Sequence, residues 1–376
     1  YCANGETSNT IIEGLAIKNG YYAGYSNSGG GGVHCANANP KLFNLIIENN
    51  NSGWTDYDDM AGVCYLQGGC GGGLYAEGGS GILEIINCVF IGNKADGRSQ
   101  GAGAYTIGKS AGQIHFTDCE FINNYFDSIG CNYNSGYTSR GCGAFSNGNV
   151  DYSGCTFTNN ATPTGIWGNT FNGGGLYGGG IVSNCTFIDN TSDNGGGLYG
   201  GGIISNCTFI DNVASLKGAN AYGGTSYTSC TFSGGRAIEG GGLALLNICT
   251  ISDCSFSDNI ATDLGGSIFI GSSVVDIQNS TFCNSSPNHI EGSWTDNGNN
   301  EFFEVCGIGA CCTSNHLTCV EAPGIVCIQF GLEFLGEGTT CENASCVTSC
   351  PGDMNGDGNV DVSDLMILIA YWGACP

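Results

Sequence analysis

Residues 353 to 364 read Asp-Met-Asn-Gly-Asp-Gly-Asn-Val-Asp-Val-Ser-Asp. Their oxygen-bearing side chains recur at the spacing a hard dication requires, because Ca2+ takes six or more oxygen ligands around a sharp glycine turn. Asp353, Asn355 and Asp357 occupy loop positions one, three and five, and Gly358 supplies the turn at position six. Asn359 offers its backbone carbonyl, Asp361 binds either directly or through a water, and Asp364 closes the loop at position twelve. This is the most specific chemical motif in the chain, and Ca2+ is the one cofactor the sequence implies. Position twelve is Asp where an EF-hand loop has Glu. Leu365, Leu368, Ile369 and Trp372 follow at helical spacing, which predicts a short helix after the loop.

The rest of the chain offers little acid–base chemistry. His34, His115, His289 and His316 are scattered, and the eight lysines and arginines, Lys18, Lys41, Lys94, Arg98, Lys109, Arg140, Lys217 and Arg236, suggest no ladder placement. Polysaccharide-cleaving β-helices need clustered carboxylates with basic partners, so the sequence points away from catalysis. Glu84, Asp118 and Glu120 fall close enough on neighbouring repeats to form an acidic patch, which reads first as solvated surface. The segment Trp54-Thr55-Asp56-Tyr57-Asp58-Asp59 combines aromatics with carboxylates and reads either as a sugar or second calcium site or, more plainly, as a polar loop.

Composition narrows the setting. A formal charge of −25 excludes nucleic-acid binding and favours cations. Twenty-four cysteines in so acidic a chain imply an oxidising compartment, hence a secreted, extracellular or cell-surface protein. No run approaches the roughly twenty apolar residues of a membrane span. No signal peptide opens the sequence, as expected of a processed secreted form.

What must position these groups is a repeat. Residues 173–194 and 195–216 are near copies, twenty-two residues apart. Their Cys-x-Phe-x-x-Asn phrase recurs with Cys88, Cys119, Cys155, Cys185, Cys207, Cys230 and Cys254 in first place and Phe90, Phe121, Phe157, Phe187, Phe209, Phe232 and Phe256 two positions on. Ser280 with Phe282 continues it downstream, and Asn44 with Ile46 and Gly14 with Ala16 upstream, giving about ten coils. Asn19, Asn49, Asn93, Asn124, Asn160, Asn190, Asn212 and Asn259 end the phrase, while Gly235 and Ser285 break it. Cys and Phe two apart share one face of a strand and point to a core. Each Asn is expected to take the left-handed bend of a corner and to bond its neighbours in a stack. A second phrase, Gly-Gly-x-aliphatic-aromatic, as in Gly174 to Tyr177 and Gly196 to Tyr199, supplies another corner and strand. The fold predicted is all-β: a right-handed parallel β-helix with loops inserted in its N-terminal half.

The ladder cysteines are expected to be reduced core fillers, because in-register strands rarely offer a disulfide torsion. Cys64 with Cys70 and Cys131 with Cys142 are expected to staple their own inserts, while Cys2, Cys35, Cys249 and Cys283 cannot be paired from sequence. Cys311, Cys312, Cys319, Cys327, Cys341 and Cys346 form a dense disulfide framework, Cys350 and Cys375 clasp the last segment, and Cys306 is left to tie tail to rod.

The two repeat phrases resemble those of polymorphic outer-membrane-protein-type β-helices and of parallel β-helix repeat proteins of planctomycete-type secreted proteins, over residues 10 to 300. Gly309-Ala310-Cys311-Cys312 resembles the Gly-Ala-Cys-Cys modules beside dockerin-like tails, and residues 353–364 resemble half of a dockerin. The resemblance implies three parts: a β-helix over 1–302, a disulfide-rich module over 303–349 and a half-dockerin-like calcium segment over 350–376. Two functions follow from different classes. One is an extracellular structural or adhesive surface protein, a subunit of a filament or sheath associating head-to-tail through a calcium-stabilised connector. The other is a carbohydrate-active enzyme or glycan-binding module tethered by its tail. Expected partners are a second copy or another surface protein, with glycans possible, and no nucleic acid.

Overall fold

The computed structural model describes residues 1–2, 5–22, 29–58, 63–67, 70–96, 100–109, 113–127, 138–163, 170–272 and 274–303, and in the C-terminal portion 306, 308–312, 319–323, 332–334 and 341. Two compact units divide the chain, Tyr1–Phe302 and Phe303–Pro376. The calcium-loop residues Asp353, Asn355, Asp357, Asn359, Asp361 and Asp364, and the helix expected after them, lie outside the described residues, as do Cys131, Cys327, Cys346, Cys350 and Cys375.

Unit one is built from parallel sheets, each taking one short strand from every turn of the chain, the arrangement of a parallel β-helix. In one coil the chain runs from Ile181–Ser183 to Thr186–Ile188, then Thr191–Asn194, then Leu198–Tyr199, and the next coil repeats this with Ile203–Ser205 and Thr208–Ile210. We call the sheets containing these strands the aliphatic, phenylalanine, side and glycine sheets. The aliphatic and phenylalanine sheets each hold eleven strands and the glycine sheet ten; the side sheet is split into four and six strands. The eleventh strand of the phenylalanine sheet is Glu301–Phe303, beyond the last copy of the phrase.

Identical residues stack because the register is kept. Phe157, Phe187 and Phe209 are paired residue for residue across adjacent strands. The rings from Phe90 to Phe282 form one buried column, continued by the exposed Phe302, with centroids 4.7–5.0 Å apart and planes within 9° of parallel. Each buried Phe contributes about 1.5–3 kcal/mol from area alone. Beside them runs a column of fully buried asparagines. Asn160 donates its backbone N–H and its Nδ2 to Asn190 Oδ1, both at 3.0 Å, and a second Nδ2 hydrogen to the Phe121 carbonyl at 2.8 Å; Asn190 repeats this with Asn212 and Phe157. Every donor of each amide is thereby used in a dry interior, as burial of a polar group requires.

The ladder thiols are satisfied in the same way. All seven donate to the carbonyl two residues earlier, at 3.2–3.5 Å. Cys207 and Cys254 also accept the backbone N–H of Cys185 and Cys230. Ser280, in the same column, makes both bonds with its hydroxyl. They are buried free thiols, as expected of core fillers.

Several expectations are corrected. Of the phrase-ending asparagines, Asn19 and Asn49 take the left-handed bend, at φ 57° and 54°, whereas Asn93, Asn124, Asn160, Asn190, Asn212 and Asn259 do not, and the residue before each of these does, as at Asn123, Asn159, Asp189 and Asp211. The upstream copies are one residue out of step: Leu45, Ile47 and Asn50 occupy the ladder, Ile47 being fully buried and Ile46 exposed. A slip of one residue exchanges the two faces of a strand, and the degenerate copies, lacking Cys and Phe, did not mark which face was inward. The lysines do stand in register with acids, Lys18 beside Glu48, Lys41 beside Glu84 and Lys217 beside Glu239, each as a coil-to-coil ion pair. Cys70 and Cys142 are buried free thiols, not loop staples. Cys142 sits among Ala95, Ala102, Phe126 and Phe171 and donates to the carbonyls of Asn124 and Ala161, so its thiol belongs to the corner's core.

The break at Gly235 has a compensation. The glycine corner is tight: a Cβ at Gly197 would come within 2.5 Å of the Asn220 carbonyl oxygen. One coil on, that glycine is replaced by Asn220, whose Oδ1 accepts from Asn212 and whose Nδ2 donates to Asn259 Oδ1. Asn220 thus supplies the rung that Gly235 lacks, reaching the column from the opposite corner.

Unit two shows a three-stranded antiparallel sheet, Ile308–Cys312 between Cys319–Pro323 and Glu333–Phe334. A disulfide joins Cys319 to Cys341, and Cys283, Cys306, Cys311 and Cys312 are also disulfide-bonded. No helix in the described residues is long and apolar enough to cross a membrane.

Two substitution series test this account. Gly235→Asn restores the repeat consensus yet should destabilise by about 1–3 kcal/mol, since its Cβ would lie 2.1 Å from the Gly241 carbonyl oxygen and 2.5 Å from Asn220 Nδ2; adding Asn220→Gly relieves only the second contact and should recover only part of the loss in urea melts. Cys207→Ser should hold stability within about 1 kcal/mol, whereas Cys207→Ala, which strands the Cys185 N–H and the Ser205 carbonyl, should cost about 1–3 kcal/mol.

Candidate binding surface

The glycine sheet carries the most ordered surface on the rod. Along Leu176–Tyr177, Leu198–Tyr199 and Ala221–Tyr222 the first residue is buried and the second faces out, so the aromatic of each Gly-Gly-x-aliphatic-aromatic phrase lands on the outside. Strand register places His34, Tyr75, Tyr105, Phe145, Tyr177, Tyr199 and Tyr222 in one line. With Tyr1 at its head the line forms a continuous outer stack, centroids 4.4–5.3 Å apart and planes within 19° of parallel. Arg140 lies 5.3 Å from the Tyr177 ring centroid, a cation–π contact at mid-column. Below Tyr222 the next position is Ala244 and the one after it Phe269. Lys217, paired with Glu239, lies over the Phe269 ring at 5.0 Å.

The rings cover one another's faces; Tyr75 and Phe145 are buried, and at the half-buried Tyr105, Tyr177, Tyr199 and Tyr222 the ring edges and phenol oxygens meet solvent. Burial pushes the Tyr75 hydroxyl up to about 12 and raises those of Tyr105, Tyr199 and Tyr222. The column therefore presents neutral hydroxyls, able to donate and accept, at physiological pH. Burial also lowers His34, which favours its neutral form. Sequence reasoning had these aromatics only as part of a corner and strand; strict inside–outside alternation after the buried aliphatic would have placed them outside.

The other candidates are dispersed. Glu84 lies on the outer face of the aliphatic sheet, in register with Lys41 and His115. Asp118 lies at a corner with φ 51°, and Glu120 on the phenylalanine sheet beside Val89 and Thr156, so the three do not share one face. His115 Nε2 stands 3.8 Å from Asp151 Oδ2, too far for a hydrogen bond, and Asp151 Oδ1 instead accepts the Ile181 N–H at 2.8 Å. Trp54–Asp58 is a strand paired antiparallel with Val63–Gln67, a hairpin and not an irregular loop; Asp59 lies outside the described residues. Among the described residues no group of three or more His, Cys, Asp and Glu side chains is placed to hold a metal. Asn-X-Ser/Thr glycosylation sequences begin at Asn50, Asn160, Asn184, Asn190, Asn206, Asn279, Asn284 and Asn343; Asn50, Asn160 and Asn190 are buried ladder rungs, Asn184, Asn206, Asn279 and Asn284 sit at exposed corners, and Asn343 lies outside the described residues.

No protein-family model matches the chain, and no curated protein matches its sequence.

Removing one ring should separate packing from surface chemistry. Tyr199→Ala loses two stacked pairs and should cost about 1–3 kcal/mol in denaturant melts, while Tyr199→Phe keeps both and should leave stability within about 0.5 kcal/mol.

Proposed function

We propose that this chain is an extracellular structural or adhesive surface protein, a right-handed β-helical rod that associates head-to-tail through a calcium-stabilised half-dockerin-like tail. The observation that supports this reading is the uninterrupted in-register stack, which repeats the same strands and the same outward residues along its length. Right-handedness is favoured because parallel crossover connections take that hand almost without exception.

The acidic composition and the cysteine content support a secreted setting in which the loop from Asp353 to Asp364 binds Ca2+ and either orders the tail or docks a partner. Small disulfide-rich modules next to a calcium loop suit a connector, because both gain stability without a large core.

The outer aromatic column favours a second reading, a glycan-binding module. Its neutral hydroxyls and ring edges suit uncharged polysaccharide, where an anionic one would meet the net charge of −25.

Sedimentation of the full chain with Ca2+ and with chelator distinguishes these. Filaments or oligomers that shorten on chelation are expected, and a single monomeric species in both conditions would overturn the first reading. Retention on a neutral polysaccharide gel, lost in a Tyr177→Ala/Tyr199→Ala/Tyr222→Ala variant that still melts cooperatively, would favour the second.

A further inference from the structure

Cys2 and Cys35 face each other across adjacent parallel segments at the margin of the glycine sheet. The Cys2 N–H donates to the His34 carbonyl at 2.7 Å, and the Ala36 N–H donates to the Cys2 carbonyl at 2.9 Å, so the backbone of Cys2 is clamped on both sides of Cys35. On the outer face the Tyr1 ring stacks on His34 with centroids 4.4 Å apart. Both cysteine side chains are buried, and their thiols hydrogen-bond each other.

Their surroundings differ from those of the other thiols. Each ladder cysteine donates its hydrogen to a carbonyl, so oxidation there would orphan two carbonyls for every bond made. Among the described residues the thiols of Cys2 and Cys35 bond only one another, and oxidation would orphan nothing. Neighbouring parallel strands lie about 4.8 Å apart, inside the Cα separation of about 4.4–6.8 Å that a disulfide spans. Cys2 meets Cys35 through one isolated bridge.

We propose that Cys2 and Cys35 are a disulfide-forming pair that, under oxidising conditions, covalently fastens the segment of Cys2 to the glycine sheet while the ladder thiols stay reduced. With a small disulfide such as oxidised glutathione as oxidant, the Cys2 thiolate attacks one sulfur and expels a glutathione thiolate. Cys35 then loses its proton to solvent and attacks the Cys2 sulfur, expelling the second glutathione. Two protein thiols are oxidised and one glutathione disulfide is reduced to two thiols. The pair closes a loop of some thirty residues, so the link removes freedom from the unfolded chain as well as from the margin.

The test is peptide mapping of the full-length protein after equilibration in oxidised glutathione, with alkylation first in native and then in denaturing buffer and no reductant. The expected result is a linked peptide pair containing Cys2 and Cys35, with the ladder cysteines recovered as thiols alkylated only after denaturation. Recovery of Cys2 and Cys35 as free thiols, or their linkage to any other cysteine or to a second chain, would overturn the proposal. In parallel, amide exchange at Ala36 should slow when the wild-type protein is oxidised and stay unchanged in Cys2→Ser. Equal slowing in both proteins would also overturn it.

Discussion

The rod depends on a single constraint: an amide buried in its narrow interior must use all its hydrogen-bonding capacity, and only an identical amide one coil away can complete it. Asn160, Asn190 and Asn212 meet this by donating along the axis to the next Oδ1 and back to a carbonyl of the preceding coil. The carbonyl belongs to the phenylalanine position, so the amide column and the ring column are tied together. A register slip would strand both, with an unsatisfied buried group costing about 1–3 kcal/mol each time. The same logic explains cysteine. At its corner an N–H and a carbonyl need partners, and a thiol or a hydroxyl provides one donor and one acceptor in a small volume, which is why Ser280 can end the column that Cys254 continues.

From that interior the outer surface follows. Side chains alternate, so a column of identical inward residues imposes a column of identical outward ones, and the tyrosines stack outside because the leucines stack inside. The outer column tolerates substitution less strictly. Where Ala244 omits a ring, Lys217 from the side sheet lies over Phe269, and the ammonium is paired to Glu239. Surface ion pairs of this kind add little stability. Their repeated coil-to-coil placement reflects register more than energy.

A surface this regular suits functions that use length and repetition over those that need one precise constellation. Catalysis requires unlike groups brought within hydrogen-bond reach, whereas in-register stacking brings like groups together. The longest departures from regularity are the inserts of the N-terminal half, and with them the hairpin of Trp54–Asp58 and Val63–Gln67.

The sequence by itself determined the architecture, because a phrase recurring every twenty-two residues with buried-type residues two apart can only be satisfied by stacking copies side by side, and side-by-side pairing of Phe157, Phe187 and Phe209 is what the fold contains. The twelve-residue pattern of oxygen side chains over 353–364, proposed above as a calcium loop, was legible for the same reason, since its members are local in the chain. Tertiary structure alone decided the rest. The register of the coil containing Leu45 and Ile47 was settled by pairing with Val89 and Phe90, because no Cys or Phe marked its inner face. The missing rung at Gly235 was filled by Asn220, which belongs to a different corner and looks like a break of its own in the linear pattern. The opposition of Cys2 and Cys35 is of the same kind: partners brought together by a full turn of the coil have no local spacing to announce them.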